Sequence, residues 1–445
     1  GLGFDIRFIL PKFLNNLIIK SVQIKYAFLL IPMLFFAQNN TDSSPYITTS
    51  SPVTLFSTQD GETEGIWSFS KVSPYDFKLL AEDSFTVIHL GNDHPPVVKT
   101  VYGTIATSIV GTPSMAMSSD GHYGLVTNHT WRGFDFFDKL EYPLDEGLSM
   151  EKKKMDTETI YQLSNMIFVV DLEDSSHPVV DQVHVDDVPV HILKHPDGKR
   201  FFVLGHESFI TYTLVKGKLV TLAKSKIPYG QGCFWIHPNG KNILASRSKD
   251  WKTKETIAEW FEIVWDRVIY KHPLEIDSSV DSAYQIMGGI LRISPDGKRG
   301  FISQRTYDNG IDFADVLIAD LTLEKPKITG VIKQVGDGIE SFAFHPNGKM
   351  AVATCLEKTK NSLAILDISS YKPKILYYLD AAGGSQGIEF SPEGDKLFLG
   401  SPAHGRIEVY DVRGDFELIK NQKFIKIGYG HNSHSIGPRY VSYKN

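Results

Sequence analysis

Six times the chain writes nearly the same phrase between two short apolar runs: Ser119-Asp120-Gly121, His195-Pro196-Asp197-Gly198-Lys199, His237-Pro238-Asn239-Gly240-Lys241, Ser294-Pro295-Asp296-Gly297-Lys298, His345-Pro346-Asn347-Gly348-Lys349 and Ser391-Pro392-Glu393-Gly394. Proline and Asp or Asn set a bend and glycine supplies a positive φ, so each phrase is a hairpin turn. Hairpins at this spacing point to a radial array of small sheets, a β-propeller.

A second repeat supplies the blade number. An apolar strand ending in a polar residue recurs at Val87–Leu90, Val169–Leu172, Thr211–Leu214, Val264–Asp266, Ile318–Leu321, Ile365–Ile368 and Val409–Val412. Its marker positions 89, 171, 213, 266, 320, 367 and 411 are 82, 42, 53, 54, 47 and 44 apart. All but the first interval fit one four-stranded blade each, at about 40–50 residues per repeat. The expected fold is therefore all-β, a seven-bladed β-propeller of four-stranded antiparallel blades spanning 46–445, with insertions at 134–162 and 249–260. Strand sharing between the termini is expected to close the ring and remove an exposed edge. In the preferred arrangement His434–Gly437 and Tyr440–Ser442 form a hairpin that joins Phe85–Leu90 and Val97–Tyr102. The alternative makes Ser73-Pro74-Tyr75-Asp76 a degenerate seventh turn between Trp67–Ser70 and Lys78–Ala81.

Residues 1–45 read as a signal peptide and leader. Lys20 and Lys25 precede the apolar run Tyr26–Ala37, after which the chain turns polar at Gln38. That run is short for a membrane span, so no stable span is expected after processing and the location is extracytoplasmic, periplasmic or secreted. With 46 Lys and Arg against 52 Asp and Glu, the net charge is −6. No basic run exceeds Lys152-Lys153-Lys154, which argues against nucleic acid as partner. Asn128-His129-Thr130 matches a glycosylation sequon. Cys233 and Cys355 fall in non-adjacent blades and read as buried free thiols.

The Pro-Asp-Gly-Lys turn, followed by an apolar strand, a loop and an apolar-Asp-Leu strand, resembles the repeat of the YVTN and lactonase-like propeller superfamily. The stretch from Ile339 to Val412 carries the likeness best, beginning Ser341-Phe342-Ala343-Phe344-His345-Pro346-Asn347-Gly348-Lys349. That superfamily includes 6-phosphogluconolactonase-type and muconate-lactonising enzymes, subunits of quinone-linked amine dehydrogenases and surface proteins of no known activity. No local phrase matches their catalytic residues, so none is carried over.

Propeller geometry selects the candidates instead. Loops that enter inner strands, with loops that leave second strands, form one rim of the central funnel, where ligands bind. The first set supplies Ser114, His191, Gln231, Gln285, Glu340, Gln386 and His434. The second supplies His129, His206, Arg247, Arg305, Cys355 and His404, with His431 nearby. Arg247 and Arg305 could grip a carboxylate or phosphate by forked hydrogen bonds, and an imidazole could activate water against a lactone carbonyl. His191 with Glu340 is the first base-and-orienter pair to examine. The same residues also fit ordinary rim contacts to loop backbone. His195, His237 and His345 alternate with Ser119, Ser294 and Ser391 and read as turn residues.

His431 and His434 are spaced to share an ion but need a third ligand such as His404, so no metal site is assigned. No cofactor is evident: there is no Cys-x-x-Cys-His haem motif, phosphate-binding glycine loop or nucleophile elbow. Both insertions read as rim lids or plain surface loops. Three functions stay open: binding of a small anionic ligand, glycan or protein at the funnel rim, lactone hydrolysis in the same funnel, or service as the propeller subunit of a quinone- or haem-linked redox enzyme.

Overall fold

A computed structural model describes residues 46–61, 82–107, 113–128, 165–250, 255–280, 290–308, 311–336, 338–355, 362–381 and 385–441. Strands β1 (Val53–Gln59), β2 (Ser84–Leu90) and β3 (Val97–Tyr102) make a meander that lacks an inner strand. Six complete meanders follow. The second blade contains β4 (Met115–Met117), β5 (Tyr123–Asn128), β6 (Met166–Asp171) and β7 (Val179–His184). The third contains β8 (His191–Lys194), β9 (Arg200–Leu204), β10 (Ser208–Val215) and β11 (Lys218–Lys226). The fourth contains β12 (Gln231–Ile236), β13 (Asn242–Asp250), β14 (Glu255–Val264) and β15 (Arg267–Pro273). A two-residue strand β16 (Glu275–Ile276) pairs in parallel with the outer edge of the fifth blade, which comprises β17 (Leu291–Ile293), β18 (Arg299–Asp308), β19 (Ile311–Asp320) and β20 (Lys327–Gly336). The sixth contains β21 (Ile339–Phe344), β22 (Met350–Cys355), β23 (Leu363–Asp367) and β24 (Lys374–Leu379), the seventh β25 (Ile388–Phe390), β26 (Lys396–Ser401), β27 (Arg406–Arg413) and β28 (Glu417–Lys426).

The last strand, β29 (Asn432–Pro438), returns to the start of the chain and pairs with every residue of β1, from Val53 opposite Pro438 to Gln59 opposite Asn432. Strand sharing thus closes the ring, with a different second strand from the one expected. All seven residues of β1 are buried, and both of its edges are hydrogen-bonded, to β2 and to β29. Tyr440 and Val441 of the expected second strand are not in a strand; Tyr440 stacks on His122 of the second blade instead, ring centroids 3.9 Å apart, and Ser442 lies outside the described residues. The alternative turn at 73–76, the leader 1–45, the insertion 134–162, Gln285 and His129 lie outside the described residues.

Seven apolar clusters hold the ring, each made by two neighbouring blades. Alternate side chains of one strand feed two different clusters: Ala351 and Ala353 pack toward the fifth blade, whereas Met350 and Val352 pack toward the seventh. Second and third strands are therefore apolar on both faces. In six blades the outer strand slips register against the third, and only the β2–β3 pair runs without a shift. Such bulges add twist and splay the outer strands where the wedge of a blade widens.

The turn histidines do more than bend the chain. His195, His237 and His345 each direct Nε2 to the carbonyl of the turn glycine in the next blade, Gly240, Gly297 and Gly394, at 2.8, 2.8 and 2.9 Å. Nδ1 of each accepts from the backbone N–H two residues on, at 3.1 Å, so the neutral Nε2–H tautomer satisfies both ends. A Cβ on Gly394, whose φ is +79°, would lie 2.3 Å from His345 Nε2, so this position needs glycine twice over. In the second blade the equivalent of these histidines is Ser118 rather than Ser119: its hydroxyl holds Asp120 at 2.6 Å, as Ser294 holds Asp296 at 2.6 Å.

Lys249–Trp260 is not a separate insertion, because β13 and β14 run through most of it as one long hairpin. Ile257 through Val264 lie in strand β14, and the marker residues Trp265 and Asp266 form the turn that follows it. Asn128 of the sequon is buried at the end of β5, which leaves no room for a glycan. Both cysteines are buried, and they do not pair with each other.

His345→Ala removes a donor to a buried carbonyl and is expected to lower stability by about 1–3 kcal/mol, read as a shift in the urea unfolding midpoint.

Candidate functional site

Inner strands line the channel of a propeller, and equal distance from the turn places residues in one layer. Two residues before each turn stand Ala116, Leu193, Trp235, Arg292, Ala343 and Glu389, an otherwise uncharged layer that holds one cation and one anion. The Arg292 guanidinium lies 4.6 Å over the Trp235 ring of the preceding blade, and Nη2 donates to Glu389 Oε1 at 3.2 Å, two blades on. Ala343, in the blade between, is small enough to be passed over. Burial pushes the Glu389 carboxyl above its ordinary value, and the Arg292 charge pulls it back. This ion pair links the fifth and seventh blades over the sixth, near the turn end of the inner strands.

The opposite mouth is built from the expected rim, rearranged. Glu340 and Gln386 come together: Gln386 Nε2 donates to Glu340 Oε2 at 2.9 Å, joining the sixth and seventh blades. His191 opens β8 in the third blade, so it and Glu340 stand on separate parts of the ring. Arg247 is turned into its own blade, where Nε and Nη2 donate to the fully buried Glu259 carboxylate at 3.0 and 2.7 Å. That forked bond raises its pKa and takes two of its five N–H donors. Arg305 and Gln231 are placed by backbone alone, opposite Ala314 and Arg247; nothing further is described of their side chains.

The histidines have four different surroundings. His206 is half-buried, with its ring centroid 5.9 Å from that of Tyr229, and burial lowers its pKa against the pull of Asp187. Asp187 holds that loop through the backbone N–H of His206 at 3.1 Å and the Ser208 hydroxyl at 2.6 Å. His404 ends a 3-10 turn, Pro402–His404, with Nδ1 2.7 Å from Ser401 Oγ. His431 pairs with buried Asp60 at 3.1 Å and so ties the two ends of the chain. His434 is buried with no hydrogen-bond partner at either ring nitrogen among the described residues, and burial drops its pKa to about 3. The expected pair His431 and His434 therefore meets different neighbours, and no group of three potential metal ligands occurs among the described residues.

The starts of consecutive inner strands carry an arc of unmet hydrogen-bonding capacity. Ser114 Oγ, Gln386 Oε1, Asn432 Oδ1, Ser433 Oγ and both His434 nitrogens are buried without a partner among the described residues. They come from the second, first and seventh blades, which are consecutive. Two glycines of the seventh blade make room for them. A Cβ on Gly387 would stand 2.7 Å from His434 Nε2, and one on Gly400 would stand 1.7 Å from Asn432 Oδ1. Each unpaired buried group costs about 1–3 kcal/mol, so the arc calls for ordered water or a hydroxyl-bearing ligand.

Sequence reasoning missed Trp235, Arg292, Glu389, Asn432 and Ser433. Arg292 and Glu389 were discoverable as charges at a channel position filled in the other four aligned blades by uncharged residues.

No family model and no curated protein sequence matches the chain. Solved structures share its fold. A candidate 6-phosphogluconolactonase from Bacteroides fragilis matches with a TM-score of 0.55 at 14% identity, over 88% of this chain and 99% of that one. Another from Bacteroides uniformis gives 0.54 at 13%, over 87% and 100%. Hydrazine synthase from Kuenenia stuttgartiensis gives 0.50 at 16%, over 74% and 92%. At these identities the likeness is one of fold.

Two predictions test the site. Glu389→Leu strands the Arg292 charge and is expected to cost about 3–5 kcal/mol in urea unfolding, with much of that recovered in Arg292→Leu/Glu389→Leu. His434 stays neutral in the folded protein down to a pKa of about 3, whereas the unfolded chain takes up the proton near its ordinary 6.5. Its folded-state stability is therefore complete above the unfolded value and is lost as the pH falls. The slope approaches about 1.4 kcal/mol per pH unit, and His434→Gln should remove that component from unfolding midpoints measured between about pH 7 and about pH 4.

Proposed function

We propose that the protein is an extracytoplasmic binding propeller whose channel mouth takes a neutral, hydroxyl-rich ligand of the glycan class. One observation supports the reading: buried amide oxygens, hydroxyls and an imidazole of the seventh, first and second blades have no partner among the described residues. Hydroxyl groups both donate and accept, so they suit acceptors such as Gln386 Oε1 and Asn432 Oδ1 and a neutral imidazole together. The charges described nearby do not favour an anion. Arg247 is closed on Glu259, and Glu340 contributes a carboxylate beside Gln386. An extracytoplasmic setting rests on the Tyr26–Ala37 segment.

Lactone hydrolysis is the second reading, raised by the names of two structural neighbours. It asks for a base that ionises near neutrality, and His434, with a pKa of about 3, is too weak for that work.

Titration calorimetry against neutral and acidic oligosaccharides tests the proposal. Neutral sugars should bind, and Gln386→Ala and Ser433→Ala should each weaken binding about three- to tenfold with the fold intact by circular dichroism. Absence of binding across neutral sugars, or base uptake with a lactone panel in a pH-stat, would overturn it in favour of another ligand or of hydrolysis.

A further inference from the structure

In an antiparallel meander, turns between first and second strands and between third and fourth strands emerge at one end, away from the mouth described above. On that face the blades fall into two sectors. Third-to-fourth turns of the third to sixth blades carry exposed apolar tips: Val215 at 51%, Trp265 at 87%, Leu323 at 37% and Tyr371 at 75% exposure. First-to-second turns of the same blades each carry a lysine, Lys199, Lys241, Lys298 and Lys349. The remaining sector is acidic and polar: Asp93, Asp120, Glu173, Asp174, Glu393 and Asp415 stand at turns of the first, second and seventh blades.

The two aromatic tips are built alike. Gly198-Lys199-Arg200 in the third blade and Gly297-Lys298-Arg299 in the fifth each send an arginine to the backbone of the next blade's aromatic turn. Arg200 Nη1 donates to the Trp265 carbonyl, and Arg299 Nη1 donates to the Ser370 carbonyl, beside Tyr371, at 2.7 Å. Each guanidinium also lies 5.8 Å over a phenylalanine of its own second strand, Phe202 or Phe301. Thr211 adds a bond to the Asp266 carbonyl at 2.7 Å, and Trp265 holds a φ of +56°. A left-handed tryptophan, fixed through its backbone and with its indole in solvent, contributes nothing to the core. Between the fifth and sixth blades the same face opens into a groove of about 490 Å³ whose lining includes Lys298, Tyr371 and Lys372, with Asp296 and Asp320.

We propose that this sector docks on an anionic phospholipid bilayer, with Trp265 and Tyr371 seated at headgroup depth and the turn lysines facing lipid phosphates. Tryptophan and tyrosine prefer that depth, and each lysine near an anionic surface adds attraction. The apolar residues are single convex tips, one to a blade, which suits shallow insertion into a soft surface better than burial in a protein interface. The acidic sector across the face sets the orientation by repulsion.

Flotation of the full chain with vesicles of phosphatidylcholine, with and without phosphatidylglycerol, tests this. Binding should require phosphatidylglycerol and weaken with added salt. Lys241→Glu/Lys298→Glu should lower partition at least about tenfold, and Trp265→Ala/Tyr371→Ala roughly tenfold, while Asp93→Asn does not weaken it. The apolar run 26–37 is common to all variants, so the differences between variants report on this face. Brominated phosphatidylglycerol should quench the parent protein more than Trp265→Phe. Equal binding to both vesicle types, insensitivity to the tip and lysine variants, or salt-sensitive capture on heparin without vesicle binding would each overturn the proposal, the last by assigning the face to a soluble polyanion.

Discussion

Everything in this ring depends on one ladder, the seven residue pairs between β1 and β29. Each blade is apolar on both faces and stable only between two neighbours. An open ring would leave the first and seventh blades each with a bare apolar face and a free edge. Pairing the ends of the chain removes both liabilities, because β29 supplies the inner strand that the N-terminal meander lacks and brings Ile88, Leu90 and Leu55 against Phe398 and Val409. The buried His431–Asp60 pair reinforces the same seam. Gly124 permits it on the other side, since a Cβ there would lie 2.3 Å from the Phe56 ring.

Polar groups are distributed by end. Near the turns Arg292 and Glu389 link the fifth and seventh blades, a pair whose partners satisfy each other. At the far mouth the groups are mostly neutral, and several have no partner among the described residues. Stability and recognition are thus separated along one axis: paired charge fixes the channel at one end, and unmet hydrogen-bonding capacity gathers at the other. The turn face adds a third arrangement, in which the same phrase that makes the hairpin also offers a lysine to solvent and, in two blades, an arginine to the neighbouring turn.

Much of the architecture was legible because turn chemistry is local. Pro-Asp-Gly and Pro-Asn-Gly need no distant partner to bend the chain, and the period-two apolar strands between them read directly as blades. What escaped reading needed a partner from elsewhere. Val53–Gln59 is strand by composition, but its role appears only when β29 comes back from the far end of the chain. Arg247 and Glu259 are twelve residues apart, and only the register of β13 against β14 shows that one closes the other. His434 looked like a titratable rim residue; the glycine at 387 that admits it belongs to another blade.

The sequence by itself determined the hairpin turns, the blade number and the two-faced apolar strands, because each follows from backbone preference and burial over a few residues. Tertiary structure decided which strand closes the ring, which arginine is occupied and which histidine is buried without a partner. These outcomes depend on side chains that meet across blades, and nothing in a local run of sequence records the distance between two blades.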